Sequence, residues 1–183
     1  MVSMSDGAGS PCSMNCVCMG LLAAWALHDA EELVTMSPAS ARTLRRLPRA
    51  VPMTEGLRER GVSQEHVTLS IGIMAVIVTA VSRRGIRSGG ASPLFRGAVL
   101  AFGVHGLLHM AGAAALRGYA TGVATSPTIV LPYWIWARRG LSDIDRSAVL
   151  AALSVVPLLS VVHGAALAVL GERSVRGWRQ AGA

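Results

Sequence analysis

Lysine is absent from the 183 residues: all 17 basic side chains are arginine, and with ten acidic residues the formal charge is +7. Such a balance raises nucleic acid as a partner. The arginines, however, flank apolar runs and form no single stripe, which points to anchoring at lipid headgroups and away from nucleic acid. Cysteine is scarce. Cys12, Cys16 and Cys18 fall within seven residues beside Met14 and Met19, a spacing that matches no closed zinc pattern. They are expected to be small apolar filler at a helix entrance, with Cu(I) binding or a disulfide as the alternatives. No basic residue precedes Arg42, and the first apolar run holds acidic residues where a signal peptide would have a cleavage site. Long polar stretches are also lacking, so nothing outside the apolar runs can bury a core of its own, and a single domain is expected. Internal repeats are absent too.

What is present is 52% hydrophobic residue and only 15% charge, gathered in runs near the length that crosses a bilayer. The sequence predicts an all-α, polytopic transmembrane helical bundle of about five spans in a cell membrane, with the lipid bilayer as its partner and homo-oligomerisation left open. Residues 1–12 are expected to be disordered, 13–171 to form the bundle and 172–183 to be a basic tail. Spans are expected at about 13–36, 66–82, 94–116, 122–137 and 147–170. Pro38 is a stop for the first, and 37–65 is either a pair of interfacial helices using Leu44, Leu47 and Val51 or a solvated basic loop. Gly103, Gly106 and Gly112 offer close-packing surfaces in the third span. Counting arginines gives ten on one side against seven on the other, favouring N-out and C-in.

Against this apolar background stands Leu27-His28-Asp29-Ala30-Glu31-Glu32-Leu33. Each ionised side chain within a span costs roughly 2.5–3.5 kcal/mol on insertion scales, so the segment calls for a function. At about 100° per residue His28, Glu31 and Glu32 share one face while Asp29 points aside, suited to orienting a histidine rather than to ligating. Five spans make the first, third and fifth parallel. Counting back from their common end at 1.5 Å per residue puts His28, Glu32, His105, His109 and His163 in one layer, roughly 6–16 Å deep, with His66 at the same boundary. His105 and His109, four apart, present both imidazoles on one face.

The metal ligands expected are therefore His28, Glu31, Glu32, His105, His109 and His163, in a mixed set that suits Fe, Mn or Zn. A hydrogen-bonded packing pair is the plain alternative for His105 and His109, and a backbone-bonded imidazole for His163. Glu31 and Glu32 are the candidates for catalysis as a general base. Tyr119 and Trp134 could line a substrate entry, although interface anchoring explains them equally. The order His-x-x-Glu reverses that of soluble di-iron bundles, and five histidines are too few for the histidine boxes of membrane desaturases.

The segments His28-Asp29-Ala30-Glu31-Glu32, His105-Gly106-Leu107-Leu108-His109 and Arg117-Gly118-Tyr119-Ala120-Thr121-Gly122, leading to Thr125 and Pro132, together resemble a family of small bacterial integral-membrane proteins named for the HXXEE motif. The family pattern commonly has proline where Thr121 stands. The resemblance implies a helical membrane bundle with a polar, metal-binding centre, and no particular reaction. Function is read as a membrane-embedded metal-dependent enzyme acting on an isoprenoid, fatty or polyketide-like substrate. The competing readings are a metal-free acid/base enzyme such as a terpene cyclase, an ion or proton carrier, and an accessory membrane subunit.

Overall fold

The computed structural model describes residues 11–50 and 55–181, with side chains over 14–50 and 55–170. Seven α-helices and one π turn follow each other, and the described residues contain no strand: α1 Pro11–Arg46, α2 Glu55–Arg60, α3 Gln64–Arg87, α4 Pro93–Leu116, the π turn Ser126–Val130, α5 Leu131–Gly140, α6 Arg146–Leu153 and α7 Val155–Ala181. By length and composition α3, α4 and the pair α6–α7 up to Leu170 can cross a membrane. Val76, Leu108, Val156 and Val161, all more than 60% exposed, give these helices apolar outward surfaces consistent with crossing a bilayer.

α1 differs from expectation in its end. It runs on through Pro38 to Arg46, although an interior proline costs about 3 kcal/mol. The linker between α2 and α3 straps the proline turn: the Ser37 hydroxyl donates to the Val62 carbonyl at 2.9 Å, and the Val62 N–H donates to the Ser40 hydroxyl at 3.0 Å. The basic connection thus shrinks to a short loop and α2. Buried Arg58 of α2 donates to the Leu44 and Leu47 carbonyls at 3.2 and 2.9 Å, occupying carbonyls that a helix end leaves without partners. Val51 lies outside the described residues.

The expected fourth span is replaced by a loop, the π turn and α5. Ser126–Gly140 rises only about 22 Å at 1.5 Å per residue, short of the ~30 Å hydrocarbon core. Pro127 and Pro132 interrupt the regular ladder, and the Leu131 N–H donates instead to the Ser126 carbonyl five residues back. The fifth span keeps its expected extent as Arg146–Leu170, with Ser154 as the joint between α6 and α7 through which the Ser154 N–H still donates to the Leu150 carbonyl. α1 starts at Pro11, inside the stretch expected to be disordered, while residues 1–10 lie outside the described ones.

One end of the bundle is packed by aromatic rings against glycines. Phe95 is fully buried against Gly85, where a Cβ would come within 2.6 Å of its ring, and Trp134 lies across Gly103. Gly106 meets Val130, whereas Gly112 has no neighbour within 4 Å and packs nothing. Cys18 is buried near Gly85 and Cys16 is exposed, so these two thiols face different surroundings and do not converge on an ion.

Candidate metal centre

α1 sends two sets of residues in two directions. His28, Glu31 and Thr35 face the loop that follows α4; Asp29, Glu32 and Met36 face a cavity. The spacing of three and four within each set is what one helical face requires.

Glu32 is the hub. Its Oε1 lies 3.0 Å from His109 Nε2 and 3.7 Å from the Nε2 atoms of both His28 and His105, while the His105 and His109 Nε2 atoms are 2.8 Å apart. One ligand atom from each of these four residues lies within 4.8 Å of all the others. The rings of His28, His105 and His109 stand edge-on to each other at 4.2–5.2 Å, as imidazoles do when their nitrogens point at one centre. For comparison, the corners of a tetrahedral site with roughly 2.0–2.1 Å bonds stand roughly 3.3–3.4 Å apart. His28 Nε2 and Glu32 Oε1 are buried and make no well-directed hydrogen bond among the described residues, although His109 Nε2 stands 3.0 Å from the carboxylate oxygen. Leaving such atoms unmade costs about 1–3 kcal/mol each, which a bound cation would offset. Three imidazoles and one carboxylate fit Zn, Fe or Mn.

Glu31 does not join them. Its carboxylate accepts from the Tyr119 hydroxyl at 2.5 Å, the Ala124 N–H at 3.2 Å, and the Thr125 N–H and hydroxyl at 2.8 and 2.6 Å. Ala124 and Thr125 open the helical run of the π turn and α5, so Glu31 caps that run from across the bundle. The bond to Glu31, after burial, raises the Tyr119 phenol above its ordinary value. Because the Thr125 hydroxyl proton goes to the carboxylate, its oxygen accepts from His28 Nδ1 at 2.7 Å. That leaves the His28 Nε2 lone pair directed at the cluster, the arrangement a ligating histidine needs.

His163 also stands apart, paired with His66: their rings stack at 13° and 5.0 Å, with His66 Nε2 to His163 Nδ1 at 2.8 Å and the Ser70 hydroxyl 3.4 Å away. Tyr119 belongs to the Glu31 cap, and Trp134 packs against the core beside Gly103. Neither lines the cavity next to Glu32. That cavity, about 200 Å³, lies between α1, α3, α4 and α6–α7, and Asp29, Glu32, His105 and His163 are among its walls.

Two positions were not singled out from the sequence. Gly122 has φ +73°, and a Cβ there would stand 2.8 Å from His28 Cε1 and 2.9 Å from His109, so only glycine lets the loop close over both rings. Thr125 is the other. The signal for both was the segment 117–125, a turn holding Gly118 and Gly122 that begins eight residues after His109. Thr121, at the position where proline is common, bonds its hydroxyl to that of Thr35 at 2.6 Å and ties the loop to α1.

The pattern of the family described as "Protein of unknown function with HXXEE motif" matches residues 19–137. No curated protein and no solved structure matches the chain.

Proposed function

The chain belongs to the HXXEE family, and from that premise we propose that it is a membrane-embedded, metal-dependent enzyme acting on a lipophilic substrate of isoprenoid, fatty or polyketide type. One observation carries the reading: buried His28 Nε2 and Glu32 Oε1, neither in a well-directed hydrogen bond, converge with His105 and His109 beside an apolar cavity. His28, Glu32, His105 and His109 would hold one divalent ion. The departure of Glu31 toward Thr125 favours a single metal over a carboxylate-bridged pair. A bound ion there would supply Lewis acidity or, for iron, redox chemistry. The chain itself contributes the Thr125 bond that fixes the His28 tautomer, the Gly122 loop that closes the cluster on one side, and the cavity that admits a chain from the other.

The 2.8 Å contact between the His105 and His109 Nε2 atoms supports a second reading. Two such atoms bond to each other only with a proton between them, so a metal-free cluster would carry a proton beside Glu32, as acid/base catalysis needs. Metal analysis of protein purified in detergent separates the two. Near-stoichiometric Fe, Mn or Zn is expected, lost in His28→Ala and in His109→Ala but kept in His163→Ala. Failure to retain any of the three ions after reconstitution would leave the acid/base reading.

A further inference from the structure

The cavity beside the cluster is polarised along its length. At one end stand Asp29 and Glu32 of α1, Ser70 of α3, His105 of α4 and His163 of α7; beyond them the walls become almost wholly apolar, through Trp25, Val78 and Ala98. Three helices measure the apolar part independently. Glu32 to Leu21, Ser70 to Val81 and His105 to Leu94 are each eleven residues between wall positions, or about 16 Å at 1.5 Å per residue, the length of an extended chain of roughly twelve carbons.

The polar end holds two groups whose hydrogen-bonding capacity no described residue takes up in full, buried Asp29 and partly buried His163. The Asp29 side chain is buried, its residue 8% exposed, yet its carboxylate has no hydrogen bond or ion pair among the described residues. It therefore has acceptor oxygens with no donor. Across the cavity His163 holds Nδ1 toward His66 and Ser70, and no partner for its other nitrogen is found among the described residues. A group that donates to one wall and accepts from the other satisfies both, and a hydroxyl does so. A carboxylate head would instead place a third acidic group beside Asp29 and Glu32.

We infer that this cavity binds a single-chain lipophilic alcohol of about twelve backbone carbons, its hydroxyl between Asp29 and His163 next to the cluster and its tail running toward Leu21, Val81 and Leu94. The inference rests on the reading of the cluster as the reactive centre only for what happens to the bound alcohol, not for its binding.

Trp25 in the cavity wall supplies the readout. In lipid nanodiscs, straight-chain alcohols from hexanol to octadecanol, brominated near mid-chain, are titrated against tryptophan fluorescence, with metal content measured on the same samples. Saturable quenching that is strongest near dodecanol is expected. Trp25→Phe should abolish the saturable part, and Asp29→Ala should weaken it several-fold. Ala98→Phe, which fills the tail end and leaves the polar end intact, should shift the optimum to shorter chains. Quenching that ignores chain length, equal quenching by the matching carboxylic acids, or indifference to both Asp29→Ala and Ala98→Phe would overturn the inference. Bound metal without chain selectivity would sink this inference and leave the proposed metal site standing. Chain selectivity without metal would do the reverse.

Discussion

At the scale of single residues the informative contrast is between two adjacent glutamates. Glu32 turns to three imidazoles and Glu31 turns to a loop nearly a hundred positions away in the sequence. Helical spacing predicts both on one face with His28, whereas the structure sends them two ways, so that only their nearness to His28 was legible. Which of them would ligate was not, because the choice depends on where the N–H groups of Ala124 and Thr125 arrive. His163 pairs with His66 for a related reason: counting residues fixes depth along a helix but not the direction a side chain takes around it. Thr125 joins the two glutamates' tasks, since its hydroxyl gives to Glu31 and receives from His28 Nδ1. Replacing Thr125 by Val removes that hydroxyl at nearly constant volume, and metal affinity is expected to fall about 10–100-fold, the usual cost of losing such support for a ligand. Competitive chelator titration checks this, with circular dichroism showing the helical content unchanged. An affinity equal to that of the wild type would remove Thr125 from the metal centre.

At the scale of elements, the apolar runs announced α3 and α4 nearly to their ends, because each is a continuous stretch bounded by arginines and by turn residues. The proline signals were weaker guides. Pro38 neither stops nor frees α1, since Ser37 and Ser40 bind the linker across it, and such long-range straps leave no local trace. Conversely, Pro127 and Pro132 do reshape their segment into a π turn and a short helix. The start of α6 is fastened by Asp145, whose carboxylate accepts from the Ala148 N–H at 2.8 Å, the Ser147 hydroxyl at 2.7 Å and Arg96 at 2.7 Å. These bonds, that of Ser147 foremost, depress its pKa from 3.8 to about 2. With the folded value below the unfolded one, the unfolded chain binds more protons in that interval. The contribution of Asp145 is thus complete above the ordinary value and disappears as pH falls through about 2. Thermal melts of the wild type and Asp145→Ala should accordingly show a Tm gap that is constant above pH ~4 and closes on further acidification. A gap that stays constant down to the lowest pH reached would mean the cap does not couple to folding.

At the scale of the whole molecule, arginines and carboxylates are sorted by position. The arginines of α1's end and Arg117 gather at one end, those closing α3 and α5 at the other, and between them the inward-facing polar groups serve the cluster, the loop and the cavity. The all-α membrane architecture was legible because the bilayer dictates it: runs of apolar residues can satisfy their backbone only as helices. The cavity was not legible, because a void is made by residues from five helices whose neighbours the sequence does not name. Its apolar end comes to the surface at Leu94 and Ser154, both exposed. Were the proposed enzyme filled from the bilayer through that opening, its reactant's relevant concentration would be two-dimensional. Diluting the membrane with inert phospholipid at fixed bulk amounts should slow turnover in proportion to the falling surface mole fraction, while diluting the whole vesicle suspension with buffer should leave the rate per enzyme unchanged. The opposite pattern would indicate delivery from water. Interfacial kinetics of this kind make the bilayer a reactant reservoir as well as a solvent, and partitioning into it, more than affinity for the site, would set which amphiphiles are turned over.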